Sequence, residues 1–146
     1  MNLHRNSPNL GAVMTAVISP TRIVLVRDPS RPNALYKLPG GTVESFDESV
    51  EAAAAREVLE ETGIILALAE VELILEQRHE GRTYYPYFCI VQVSEEKLDS
   101  HKKIGDEDGK RIEVAVFDRS EVPTMVDLLE RHRPFIRAIE EASVSA

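Results

Sequence analysis

The feature that most restricts how this chain folds is the run from Ser49 to Gly63, rich in alanine, free of internal glycine and proline, and closed by a glycine. Strong helix formers followed by a residue that tolerates the left-handed conformation predict a helix over residues 49–62. Its second half reads Arg56-Glu57-Val58-Leu59-Glu60-Glu61-Thr62-Gly63-Ile64. At about 100° per residue, Glu57, Glu60 and Glu61 share one narrow sector. Ala52, Ala55, Leu59 and, at the edge, Val58 fall on the other side, which is therefore expected to pack on a sheet. Carboxylates at i, i+3 and i+4 repel one another, and two of them sit in the last turn, where the helix dipole is already negative. Something positive is needed there. Arg56 supplies part of it, and a divalent cation with oxygen ligands would supply the rest. The plain alternative, a solvated acidic face, is common and is decided by what surrounds the helix.

The flanking sequence alternates strands and helices. Gly11–Ile18 and residues 22–26 are β-rich runs around Ser19-Pro20-Thr21, the pattern of two strands joined by a tight turn. Residues 28–33 carry two prolines and form a loop, and residues 34–38 make a short extended piece that stops at Pro39-Gly40-Gly41. Residues 71–77 and 84–93 predict strands around His79-Glu80-Gly81. Residues 94–110 read as a charged connection and 111–117 as another strand. Residues 124–142 read as a helix that Pro134 breaks or restarts. Residues 1–9 are polar and expected to fray, leaving 10–146 as one mixed α/β domain with helices covering a sheet.

Charge and cysteine use narrow the function. The formal charge of −8 disfavours binding to a nucleic-acid polymer, and the single Cys89 forms no intrachain disulfide. Residues 10–18 imitate a weak signal peptide but lack a clustered basic start, and they read better as a strand. No segment reaches the roughly 20 apolar residues that span a bilayer. The expectation is a cytoplasmic protein.

Upstream of the helix, Leu38-Pro39-Gly40-Gly41 is a rigid corner followed by two residues without side chains, where the backbone can approach a ligand and offer carbonyl oxygens. Gly41, six residues, Glu48, seven residues, then Arg56-Glu57-Val58-Leu59-Glu60-Glu61-Thr62-Gly63-Ile64 resembles the Nudix box of the Nudix (MutT-like) hydrolases. Leu38-Pro39-Gly40 extends the match. One residue more than usual separates Gly41 from Glu48. It is placed in the loop, where Ser45 with Glu48 or Ser49 with Glu51 would cap the helix, and the family pattern favours Ser49.

The resemblance implies a single-domain α/β/α sandwich with a mixed β-sheet carrying the box loop and helix. It also implies an enzyme that uses Mg²⁺ or Mn²⁺ to hydrolyse a nucleoside diphosphate linked to another group (NDP-X), a small-molecule substrate. Carried over by position, Glu57, Glu60, Glu61 and the Gly40 carbonyl would hold the metal, with Gly41 and Glu48 supporting them. Arg56 would orient a glutamate. Glu48 is either its salt-bridge partner or merely an acid favoured by the helix N-terminus. Glu57 is the first choice as general base. The others are Glu107, in Gly105-Asp106-Glu107-Asp108-Gly109, read as a flexible acidic loop, and Glu113 at the start of the last strand.

Other residues carry weaker expectations. Arg78, Arg82, Tyr84 and Tyr87 offer charge and aromatic faces to a nucleotide, although alternating tyrosines in a strand more often pack. His79 is read as a turn residue, Phe46 as lining the pocket or anchoring the inserted loop, Cys89 as inert core, and Tyr36 as packing beneath the glycine corner. Two other functions compete with hydrolysis. A Nudix-fold module that binds a nucleotide without cleaving it would be favoured by a missing box carboxylate, and none is missing. An isomerase on the same fold would need a catalytic Cys–Glu arrangement that Cys89 alone does not suggest. A homodimer is compatible with a domain this small, but the sequence does not decide it.

Overall fold

The computed structural model describes residues 11–76 and 85–145. Strand β1 (Gly11–Ile18) organises the rest, because its small and β-branched residues are covered on both faces of the sheet. Alternation sends Val13 and Val17 into one apolar core and Ala16 and Ile18 into another on the opposite face. β1 pairs parallel with β5 (Tyr85–Gln92) along its whole length and antiparallel with β2 (Arg22–Arg27). Antiparallel β4 (Glu72–Glu76), β7 (Lys110–Asp118) and β6 (Ile104–Glu107) complete the mixed sheet in the order β4-β5-β1-β2-β7-β6. The short β3 (Gly40–Thr42) pairs with the start of β1, setting Gly40 opposite Met14 and Gly41 opposite Val13.

Helix α1 (Val50–Thr62) covers the Val13/Val17 face and α3 (Arg133–Ser145) the other, through Phe135 and Ile136, so the α/β/α sandwich is present. A one-turn helix, α2 (Glu95–Leu98), buries Leu98 on the α1 side. No helix among the described residues is long and apolar enough to cross a membrane.

Several elements differ from the sequence reading, each for a local reason. Residues 34–38 are the extended piece expected, tied by single bridges from Tyr36 to Leu128 and from Lys37 to Val26, and the differences lie elsewhere. Residues 94–110 are not a plain connection, since they contain α2 and β6. The overlooked signal was Asp108-Gly109, whose φ angles of 50° and 81° are those of a two-residue hairpin turn and fold β6 onto β7. The expected helix over 124–142 begins only at Arg133, so Pro134 falls in its first turn, where a missing N–H costs nothing. Before it, single 3-10 turns at Val122–Thr124 and Glu130–His132 flank a stretch that passes Tyr36, whose N–H donates to the Asp127 carbonyl and whose carbonyl accepts from the Leu129 N–H. The turn predicted at His79-Glu80-Gly81 lies outside the described residues.

One polar contact ties the α3 side to the glycine corner. The His132 ring is 2% exposed, packs edge-on to Phe88, and accepts the Leu38 N–H at Nδ1 over 3.1 Å. Only a neutral ring can accept there, and burial, helped by the charges of Arg131 and Lys37, pushes His132 down to about 4. An unfolded chain would take up this proton first, near the ordinary value of 6.5. The contribution of His132 to stability is therefore complete above pH 6.5 and lost as the pH falls to about 4. The loss amounts to about 3 kcal/mol. Urea unfolding of the wild type should show this slope across that window, and His132→Gln should lack it. Equal slopes would mean that the folded protein does not hold the ring neutral.

Candidate active site

α1 is fixed firmly at both ends. The Ser49 hydroxyl caps the Ala52 N–H at 3.0 Å, with Glu51 in the first turn, and Gly63 closes the helix at φ 78° while donating to the Leu59 carbonyl. Ser49 is thus the N-cap that the family pattern favoured. The buried face differs from the one expected from the sequence. It consists of Val50, Ala53, Ala54, Glu57, Val58, Glu61 and Thr62, while Leu59 is 47% exposed. Glu57 and Glu61 lie on the packed side of the helix, because the fully buried Ala53 and Ala54 bring that face against the sheet.

The glycine corner meets those acids directly. A Cβ on Gly41 would stand 2.6 Å from the Glu57 carboxyl, so only glycine lets the corner close over it. The Gly40 N–H donates to Glu61 Oε1 at 3.1 Å, while Glu61 Oε2 is buried with no hydrogen-bond donor. From the other side, Gly105 on β6 approaches so closely that a Cβ there would overlap the Glu61 carbonyl. Glu57 is 7% exposed and Glu61 fully buried. Burial is the main reason why both carboxyls are raised, Glu61 to about 9 with the Glu107 charge adding to it, and the two are close enough to share a proton. Glu60 sits at the rim, its side chain 43% exposed.

Arg56 binds this cluster together. Its Nε and Nη2 grip both oxygens of Asp47 at 2.9 Å, Nη1 donates to Glu57 Oε1 at 2.9 Å and to Glu60 Oε1 at 3.4 Å, and Nη2 also reaches the Thr42 carbonyl. These contacts, Asp47 foremost, raise the guanidinium further above its ordinary value. The salt bridge to Arg56 considered for Glu48 is made by buried Asp47, while Glu48 is exposed. The signal was present in the spacing: Gly41, five residues and an acid lands on Asp47, which puts the extra residue between that acid and Arg56. Phe46, in the same loop and 68% exposed, lies against Arg56 at 5.1 Å from ring centre to guanidinium.

The two later acids divide. Glu107 is not in a loop but on β6, two residues beyond Gly105, and binds Lys37 Nζ at 3.0 Å. Glu113 belongs to a neighbouring group, accepting from Arg27 at 2.6 Å and from the Tyr36 hydroxyl at 3.2 Å. Tyr36 is buried, meets Phe117 edge-on and carries the Arg27 guanidinium over its ring at 4.4 Å. Tyr87 is buried on the α1 side, and Cys89 is buried core. Arg78, Arg82, Tyr84 and His79 lie outside the described residues. A large apolar concavity, about 1110 Å³, lies on the opposite face between β5 and α3 and contains none of these acids.

The donor set suits a hard divalent cation: carboxylate oxygens, backbone carbonyls at the corner, and a buried oxygen with no donor. Among the described residues, no three acid, histidine or cysteine side chains already form a complete cage.

Comparison with known proteins agrees with this fold. The family model described as NUDIX domain matches residues 8–139. Among solved structures, the NUDIX domain of Shewanella oneidensis NrtR, complexed with ADP ribose, superimposes with a TM-score of 0.71 at 18% identity, over 97% of this chain and 93% of that one. A MutT structure from work on Aliivibrio salmonicida and Vibrio cholerae gives 0.64 at 17% identity, over 88% and 94%. A MutT/nudix family protein from Enterococcus faecalis gives 0.59 at 23% identity over 77% of this chain, which spans 44% of that longer one. A search of curated sequences gives no match.

Breaking a buried ion pair from one side strands the other charge. Asp47→Ala should therefore lower unfolding stability by about 3 kcal/mol, and Glu48→Ala by less than about 1 kcal/mol. Equal losses in urea titrations would return the Arg56 partnership to Glu48.

Proposed function

Because this chain belongs to the Nudix family of phosphoanhydride hydrolases, we propose that it is a divalent-metal-dependent pyrophosphohydrolase. In this reading it splits NDP-X into a nucleoside monophosphate and phosphorylated X. The carrying observation is the pair Glu57 and Glu61, buried under Gly40–Gly41 with one oxygen left without a donor. Two carboxyls placed so cannot both ionise unless a cation joins them.

Glu57, Glu60, Glu61 and the Gly40 carbonyl would hold Mg²⁺ or Mn²⁺. Once bound, the ion neutralises pyrophosphate charge and acidifies water. Arg56 is anchored by Asp47 and so keeps the Glu57 carboxyl turned toward the corner. Glu57 is the preferred base. Burial is the main reason its carboxyl is raised above the ordinary carboxylate range, the direction that favours a general base. Glu107 is the alternative, on a strand that packs against the end of α1. One structural relative is complexed with ADP ribose, a nucleoside diphosphate joined to a sugar, so ADP-ribose is the first substrate to test. The same observation favours a second reading, in which the chain binds such a ligand and cleaves it weakly or not at all.

Release of nucleoside monophosphate from a panel of NDP-X compounds, with and without Mg²⁺, separates the two readings. Glu57→Gln and Glu61→Gln should each reduce turnover by about 10²-fold or more while the fold is kept. A folded double variant that still hydrolyses at the normal metal-dependent rate would remove the proposed site.

Proton release gives an independent check. Glu61, raised to about 9 without a cation, is protonated at neutral pH and must lose that proton to become a ligand. Calorimetry of Mn²⁺ binding at pH 7 in buffers of different ionisation enthalpy should show about one proton released per ion, with affinity rising as the pH approaches that of Glu61. Binding that releases no proton would contradict the assignment.

A further inference from the structure

Lys37 stands beside the glutamate cluster and was not singled out by any motif. The bridge between Val26 and Lys37, closed by two 2.9 Å hydrogen bonds, fixes its backbone. Alternation then decides its direction. Tyr36 and Leu38 turn into the core on the α3 side, so Lys37 points to the α1 side, where its ammonium meets Glu107 at 3.0 Å. Glu107 shares the β6 face of Gly105, which lies against the backbone of Glu61, and the charges of both Glu107 and Lys37 act on Glu61. Among the described residues, the other cation of the cluster, Arg56, is already committed to Asp47, Glu57, Glu60 and the Thr42 carbonyl. The Lys37–Glu107 pair is about one-third exposed on both sides, and such pairs contribute little net stability, so exchanging partners costs little.

We propose that Lys37 is a substrate-binding residue that contacts the pyrophosphate of NDP-X, and that Glu107 holds its ammonium until substrate arrives. A diphosphate entering a site crowded with carboxylates needs a cation belonging to the protein, and an ammonium on a flexible stem is suited to a phosphate oxygen. Lys37 gives up Glu107 for the phosphate, which leaves the Glu107 carboxylate free to turn toward the reacting centre. The inference rests on the hydrolase reading above and goes further by naming the residue that selects for a polyanionic substrate.

The test uses two equilibrium measurements on the whole chain: Mn²⁺ affinity without nucleotide, and affinity for the uncleavable α,β-methylene-ADP in Mg²⁺. A positive charge beside a cation site opposes the cation and favours the phosphate. Lys37→Gln should therefore weaken α,β-methylene-ADP binding about tenfold while tightening Mn²⁺ binding. Lys37→Arg should keep the nucleotide affinity within a few-fold of wild type. A purely structural Lys37 would weaken both ligands together, and that result, or an unchanged nucleotide affinity in folded Lys37→Gln, would overturn the proposal. If the wild type cleaves NDP-X while Lys37→Gln binds normally, only this inference fails. If the wild type neither binds the analogue nor cleaves any NDP-X, the hydrolase reading fails with it.

Discussion

Burying two carboxyl groups side by side is the interaction on which the rest of this structure depends. Glu57 and Glu61 lie on the packed face of α1, beneath Gly40 and Gly41, where water cannot solvate them. An isolated buried carboxylate is strongly unfavourable, so such a pair persists only with a shared proton or a cation between them. Glu61 Oε2 has no donor, and the raised state of both groups expresses the same deficit in protonation terms.

The surroundings make sense as a means of imposing that arrangement. Small residues do part of this. Ala53 and Ala54 let α1 settle on the sheet, Gly41 leaves room for the Glu57 carboxyl, and Gly105 lets β6 touch the backbone of Glu61. Strands do another part, because β3 is pinned to β1 opposite Val13 and Met14, which fixes where the corner points. The ion pair of Arg56 with Asp47 ties the loop to the helix. On the far face His132 holds Leu38 through a neutral ring, so the corner is anchored from both layers of the sandwich.

Much of this was legible in the sequence, and the failures have physical causes. β1 and α1, with Ser49 and Gly63 as caps, could be read because their propensity, periodicity and punctuation agree. β6 was hidden because a four-residue edge strand containing Gly, Asp and Glu has little β propensity, and only its Asp-Gly turn marks it. The packed face of α1 was assigned to the wrong side because periodicity places apolar residues inward by default. Here two glutamates occupy the inward face and Leu59 is left outside. Asp47 was passed over for Glu48 because counting back from Arg56 reaches Glu48, while counting forward from Gly41 reaches Asp47, and only the ion pair decides between them. The pairing of Lys37 with Glu107 joins residues 70 positions apart, a contact no local pattern encodes.

The central claim is that Glu57 and Glu61 are brought together to grip a divalent ion. Anomalous scattering from crystals soaked in Mn²⁺ tests it most directly. The account predicts a peak between the two carboxyls, at ligating distance from both and from the glycine corner. A peak on other residues, or none while Glu61 keeps its proton in saturating metal, would contradict it.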